Sequence, residues 1–133
     1  MKKISHQLGL VEIGIIGLAF VSFFASMGLF ALNSARIKSR DSKRVADITL
    51  LNSALTLYVH DKDNSPNDLT EIYEYLKILP NAPMPADGIC STEDNKYKYQ
   101  KTGRKDFQIS FCLGEFTSGL DFGQRTSTQD GFK

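Results

Sequence analysis

Apolar and polar positions divide this chain into three regimes. From Leu8 to Leu32 it reads LGLVEIGIIGLAFVSFFASMGLFAL, with a single charged residue, Glu12, near the start. At about 1.5 Å per residue such a run makes a helix roughly 37 Å long, enough to cross a bilayer with some tilt. Neither proline nor glycine interrupts the stretch that follows, NSARIKSRDSKRVADITLLNSALTLYVH. Within it Val45, Ile48, Leu51, Leu55 and Tyr58 recur at helical spacing and mark one face, which Leu50, Ala54 and Leu57 widen. Asp47, Thr49, Asn52, Ser53 and Thr56 fall largely on the other side. The pattern predicts one helix from Leu8 to about His60, roughly 80 Å long.

The third regime begins with the turn formers Asp61-Lys62-Asp63-Asn64-Ser65-Pro66. Ser65 or Asn67 can cap a short helix over Asp68–Leu76 whose apolar face is Leu69, Ile72 and Leu76. Pro80, Pro83 and Pro85 then predict an extended crossing. Tyr97 and Tyr99 alternate with Lys96, Lys98 and Gln100, and Phe107, Ile109 and Phe111 alternate with Gln108 and Ser110. This period of two predicts a hairpin turning at Thr102–Lys105. The tail has no clear period, and is read as a short third strand near Glu115–Thr117 or as an ordered loop. The fold class expected is α+β: a long N-terminal helix packed on a small antiparallel sheet.

Charge sharpens this division. Residues 1–60 hold seven Lys/Arg against three Asp/Glu, and residues 61–133 hold nine against twelve. A basic stem with a mildly acidic head argues against a nucleic-acid partner, which would call for positive charge on the folded surface. Cys90 and Cys112 both lie in the head. Beyond a membrane segment the pair reads as one disulfide, with two reduced buried thiols as the alternative. The chemistry of an enzyme is missing from the pattern. His6 and His60 are the two histidines, and no nucleophile–base arrangement, metal-ligand spacing or phosphate-binding loop accompanies them. Asp61, Asp63 and Ser65 lack the glycine and distal glutamate of a calcium loop. No metal or cofactor is expected.

Met1-Lys2-Lys3 before an apolar run has the look of a secretory signal, but signal cores span only about 7–15 residues and end at a small-x-small site. The placement of Glu12 needs another account, because a carboxylate costs roughly 2.5–3.5 kcal/mol at mid-bilayer and less towards an end. Small residues, Gly14, Gly17, Ala25 and Gly28, recur along the apolar helix at spacings that let helices approach closely. Arg36, Lys38, Arg40, Lys43 and Arg44 follow it, and are read as partners for acidic groups on neighbouring subunits or for lipid headgroups.

A basic leader, an apolar helix opening Gln7-Leu8-Gly9-Leu10-Val11-Glu12-Ile13, an amphipathic continuation and a small β head together resemble the type IV pilins and the pseudopilins of type II secretion. The resemblance implies cleavage by a prepilin peptidase between Gln7 and Leu8, methylation of the new Leu8 amine, and pairing of Glu12 with that amine on an adjacent subunit. The chain departs from the family pattern at the cut. Gln7 stands where the family has glycine, Leu8 where phenylalanine is frequent, and Gly9 comes one place late. Cleavage before Leu8, cleavage after Gly9 and no cleavage therefore stay open. The expected organisation is a leader over residues 1–7, an apolar transmembrane or filament-core helix over 8–32, an amphipathic continuation over 33–60 and a head over 61–133.

The resemblance implies a structural, non-enzymatic subunit held single-pass in the cytoplasmic membrane with its head outside. From there it enters an extracellular or cell-envelope filament. Its partners would be copies of itself, other pilins, the prepilin peptidase, an assembly ATPase and a membrane platform protein. A pseudopilin forming a secretion piston is the alternative within this architecture. A membrane-anchored binding module that does not polymerise is the alternative outside it.

Overall fold

The computed structural model describes the backbone from Lys2 to Lys133 and the side chains of Gly9, 13–26 and 31–133. Helix α1 covers Lys2–Lys62, and is followed by a 3-10 helix at Leu69–Glu74. Four strands complete the chain: β1 (Lys98–Lys101), β2 (Phe107–Leu113), β3 (Gly123–Thr128) and β4 (Gly131–Phe132). They form one antiparallel sheet in the order β1-β2-β3-β4. The chain divides into two compact units, residues 1–35 and residues 36–133. The protein is thus α+β, a long N-terminal helix with a small antiparallel sheet packed on its second half.

The helical stripe becomes the core of the second unit. Ile48, Leu51, Ala54, Leu55 and Val59 are buried against Ile72 and against Phe107, Ile109, Phe111 and Leu113 of β2. Burial along β2 alternates from Phe107 to Phe111 and then becomes continuous, because Cys112 on the other face is buried as well. Val45 and Tyr58 pack at the margin of this cluster. Leu50 and Leu57 do not join it, being 49% and 54% exposed. Periodicity placed them beside the stripe, but a sheet this narrow covers only its centre. Asp47, expected on the polar side, is buried.

Asp63 ends α1 in the left-handed region (φ 55°) while its amide still donates to the Val59 carbonyl at 3.0 Å. The helix expected over Asp68–Leu76 is instead six residues of 3-10 helix, capped by Asp68, whose side chain accepts from the Thr70 amide at 2.7 Å. So short a segment gains too few i→i−4 bonds to offset helix nucleation. Its face is the expected one, with Ile72 buried and Leu69 and Leu76 packed against the core.

The tail differs more. Around Glu115–Thr117 there is a single bridge, Thr117 to Leu120, across a turn whose residues Ser118 and Gly119 both have positive φ. The real third strand is Gly123–Thr128, whose Gly123 and Ser127 lie opposite Leu113 and Ile109 of β2. Cys90 and Cys112 form a disulfide with a Cα–Cα distance of 5.9 Å, tying the loop before β1 to the end of β2.

Cross-linking residues 22 apart removes loop entropy worth about 3 kcal/mol from the unfolded chain. The double variant Cys90→Ala/Cys112→Ala should lose that much stability in urea unfolding of the full chain in detergent, read by near-UV dichroism of the head tyrosines. An unchanged midpoint would refute this account of the bridge.

Candidate assembly site and the ion cluster of the head

Over residues 13–26 of the first unit the described side chains form a helix that is apolar on every side apart from two serines, and exposed. Ile13, Ile15, Ile16, Leu18, Phe20, Val21, Phe23 and Phe24 are each between 56% and 70% exposed. Such a surface calls for lipid or other helices around it. By length and composition this helix is able to cross a membrane. A Cβ added at Gly9, Gly14 or Gly17 would meet nothing within 4 Å, and Ala25 is exposed, so these small positions open onto free surface. Gln7, Leu8, Glu12 and Gly28 have side chains outside the described residues. Ser22 and Ser26 are the only polar side chains over residues 13–26. Both hydroxyls are satisfied within the helix: Ser22 donates to the Leu18 carbonyl at 2.8 Å and Ser26 to that of Ser22 at 2.9 Å.

The second unit treats its polar groups differently. Arg44 is completely buried, and each N–H of its guanidinium has an acceptor. Nε donates to Asn95 Oδ1 at 2.9 Å, and Nη1 donates to Asp41 Oδ1 at 2.6 Å and Asp87 Oδ2 at 3.1 Å. Nη2 donates to the carbonyls of Pro83 and Pro85, each at 3.0 Å. Arg40 clasps Asp87 from outside through two hydrogen bonds, Nε to Oδ2 at 2.7 Å and Nη2 to Oδ1. Asp41 also accepts from the backbone amides of Gly114 and Glu115. Asp47 accepts from Tyr97 Oη at 2.9 Å and from Lys43.

Two glycines make this fit. Gly88 sits at φ 59°, and a Cβ there would overlap the Gly114 carbonyl; a Cβ on Gly114 would overlap Asp87. The Asp87 loop and the turn after β2 therefore approach backbone to backbone beside the helix.

Arg40, Lys43 and Arg44, read from the sequence as partners for neighbouring subunits, are thus engaged within their own chain. Arg36 and Lys38 are exposed. Sequence reasoning missed the cluster, although half of it was accessible as the Asp41–Arg44 pair three residues apart on one helix. Asp87 gave no such signal. Among the described residues no three His, Cys, Asp or Glu side chains converge as a metal site would require.

The hydrogen bond from Arg40, aided by Arg44, holds the Asp87 carboxyl below its ordinary range against the opposing effect of burial. Burial, and the acceptor Asp47, push the Tyr97 hydroxyl well above the ordinary phenolic range. No family model, curated protein or solved structure matches the chain.

Two outcomes follow for the head. Arg44→Met leaves buried Asp41 without its cation and Asp87 with Arg40 alone, and should cost about 3–5 kcal/mol in urea unfolding of the full chain in detergent. A loss of under about 1 kcal/mol, the scale of an exposed ion pair, would show that the cluster is not a buried one. Because the folded pKa of Asp87 is lowered, its contribution is complete above the unfolded value of about 3.9 and disappears as pH falls through the folded one. Stability should therefore drop below about pH 4, and Asp87→Asn should flatten that part of the profile; an unaltered slope would exclude Asp87 as its source.

Proposed function

We propose that this chain is a structural subunit of a type IV pilus-like filament, stored in the cytoplasmic membrane through its apolar helix and assembled by helix bundling. The observation that carries the reading is the uncovered helix. Over residues 13–26 it is apolar all round, its small positions are open, and its two serine hydroxyls are spent internally. Lipid satisfies such a surface before assembly, and sister helices satisfy it afterwards. Glu12 supplies the register. An anion near the tip of an apolar helix is stable in a bundle only when a cation from a neighbour meets it. In the resemblance drawn from Gln7–Ile13 that cation is the methylated amine of Leu8 on an adjacent subunit. Self-association in one axial register then follows from avoiding an unpaired buried charge. The partners of the reading are copies of this chain, other pilins, the prepilin peptidase, the assembly ATPase and the platform protein.

Glu12→Ala should abolish sheared surface fibres while leaving the full chain in the membrane fraction. Unchanged fibres would overturn the role given to Glu12. Absence of the wild-type chain from any fibre would instead favour a plain membrane anchor. The intact mass of protein recovered from cells should show loss of residues 1–7, one added methyl group and two hydrogens removed by the disulfide. Retention of Met1 would exclude processing.

A further inference from the structure

The head carries an exposed apolar patch that its core does not use. Ile89 is 71% exposed, Phe116 60% and Phe122 55%. They come from three separate stretches: the loop before β1, the turn after β2 and the approach to β3. Together with Lys38, Gly88 and Gly114 they line a shallow depression of about 380 Å³, with Glu115 beside them. Three large apolar side chains turned to water in so small a head call for a partner.

Chain connectivity and charge indicate which one. Lys38 lines the patch only six residues beyond Leu32, the end of the apolar run. Six residues span at most about 22 Å even when fully extended, so the patch is tethered close to wherever that run leaves the bilayer. Lys38 and Arg36 are exposed cations suited to lipid phosphates.

We propose that Ile89, Phe116 and Phe122 form a membrane-surface contact, seating the head in the headgroup layer of the bilayer that holds its own helix, with Lys38 against the phosphates. Aromatic and aliphatic side chains at that depth bury apolar area while the neighbouring cation stays wet. The contact holds the stored subunit against the membrane, and is given up when the subunit leaves. The inference rests on membrane residence of the apolar helix and not on polymerisation.

The chain has no tryptophan, so single-tryptophan variants report one site each. Full-length Phe116→Trp and Tyr73→Trp would each be reconstituted in phosphatidylcholine–phosphatidylglycerol vesicles brominated on the acyl chains near the headgroup, and Phe20→Trp, at the middle of the apolar run, in the same vesicles brominated near the acyl-chain ends. Phe116→Trp should show blue-shifted emission and more than half the fractional quenching of Phe20→Trp. Tyr73→Trp, an equally exposed aromatic outside the patch, should remain unquenched. Phe116→Trp matching Tyr73→Trp would overturn the contact while leaving membrane residence intact. A blue shift that grows with protein density at fixed lipid, without bromine quenching, would give the patch to a second copy and also overturn it. Failure of Phe20→Trp to be quenched would remove the helix from the bilayer and overturn both readings.

Discussion

A single guanidinium organises the head. Burying Arg44 removes a charge from water at a cost of several kcal/mol, which is tolerable only because every donor it carries finds an acceptor. Those acceptors come from helix α1, the proline-rich loop and Asn95, while Asp41 in turn holds the turn after β2. Segments more than seventy residues apart in the chain thereby acquire one mutual position. An apolar residue in place of Arg44 could contribute comparable packing but could not dictate where five separate acceptors must stand. The cluster thus specifies an arrangement as well as stabilising it. The close approach of Gly88 and Gly114 and the Cys90–Cys112 bridge restrict the same loops by sterics and by covalency.

What could be read from the sequence was what repeats locally. Ile48, Leu51 and Leu55 are buried because α-helical period places them on one line, and Phe107, Ile109 and Phe111 because a strand alternates. Periodicity identifies apolar positions, however, and not how wide a surface will cover them, which is why Leu50 and Leu57 were placed in the stripe. Strand β3 was illegible for a related reason. Its core-facing Gly123 and Ser127 are small because they lie opposite Leu113 and Ile109, and small residues carry no hydropathy signal. Arg40 and Arg44 looked like free cations because Asp87 is more than forty residues away in the chain. At the candidate assembly site, Gly14, Gly17 and Ala25 could be located by spacing alone, and they lie on open surface.

The two units manage polarity in opposite ways. The head closes its buried charges into pairs, leaving Arg36 and Lys38 exposed, while the apolar helix carries nothing polar outward between Ile13 and Ser26. In the filament proposed here, the head keeps its shape in water through its own contacts, and the helix remains dependent on its surroundings. That separation would let one chain be folded and still unfinished.

The back-bonded hydroxyls of Ser22 and Ser26 have a thermodynamic consequence for such a subunit. Neither needs a donor or acceptor from outside, so exchanging hydrocarbon tails for neighbouring helices breaks no hydrogen bond along this stretch. Hydrocarbon and helix side chains are similar solvents, which makes the exchange nearly neutral over most of the span. In the assembly proposed here the direction of travel would then come from elsewhere: from the acid near the start of the apolar run, and from work done by the assembly machinery.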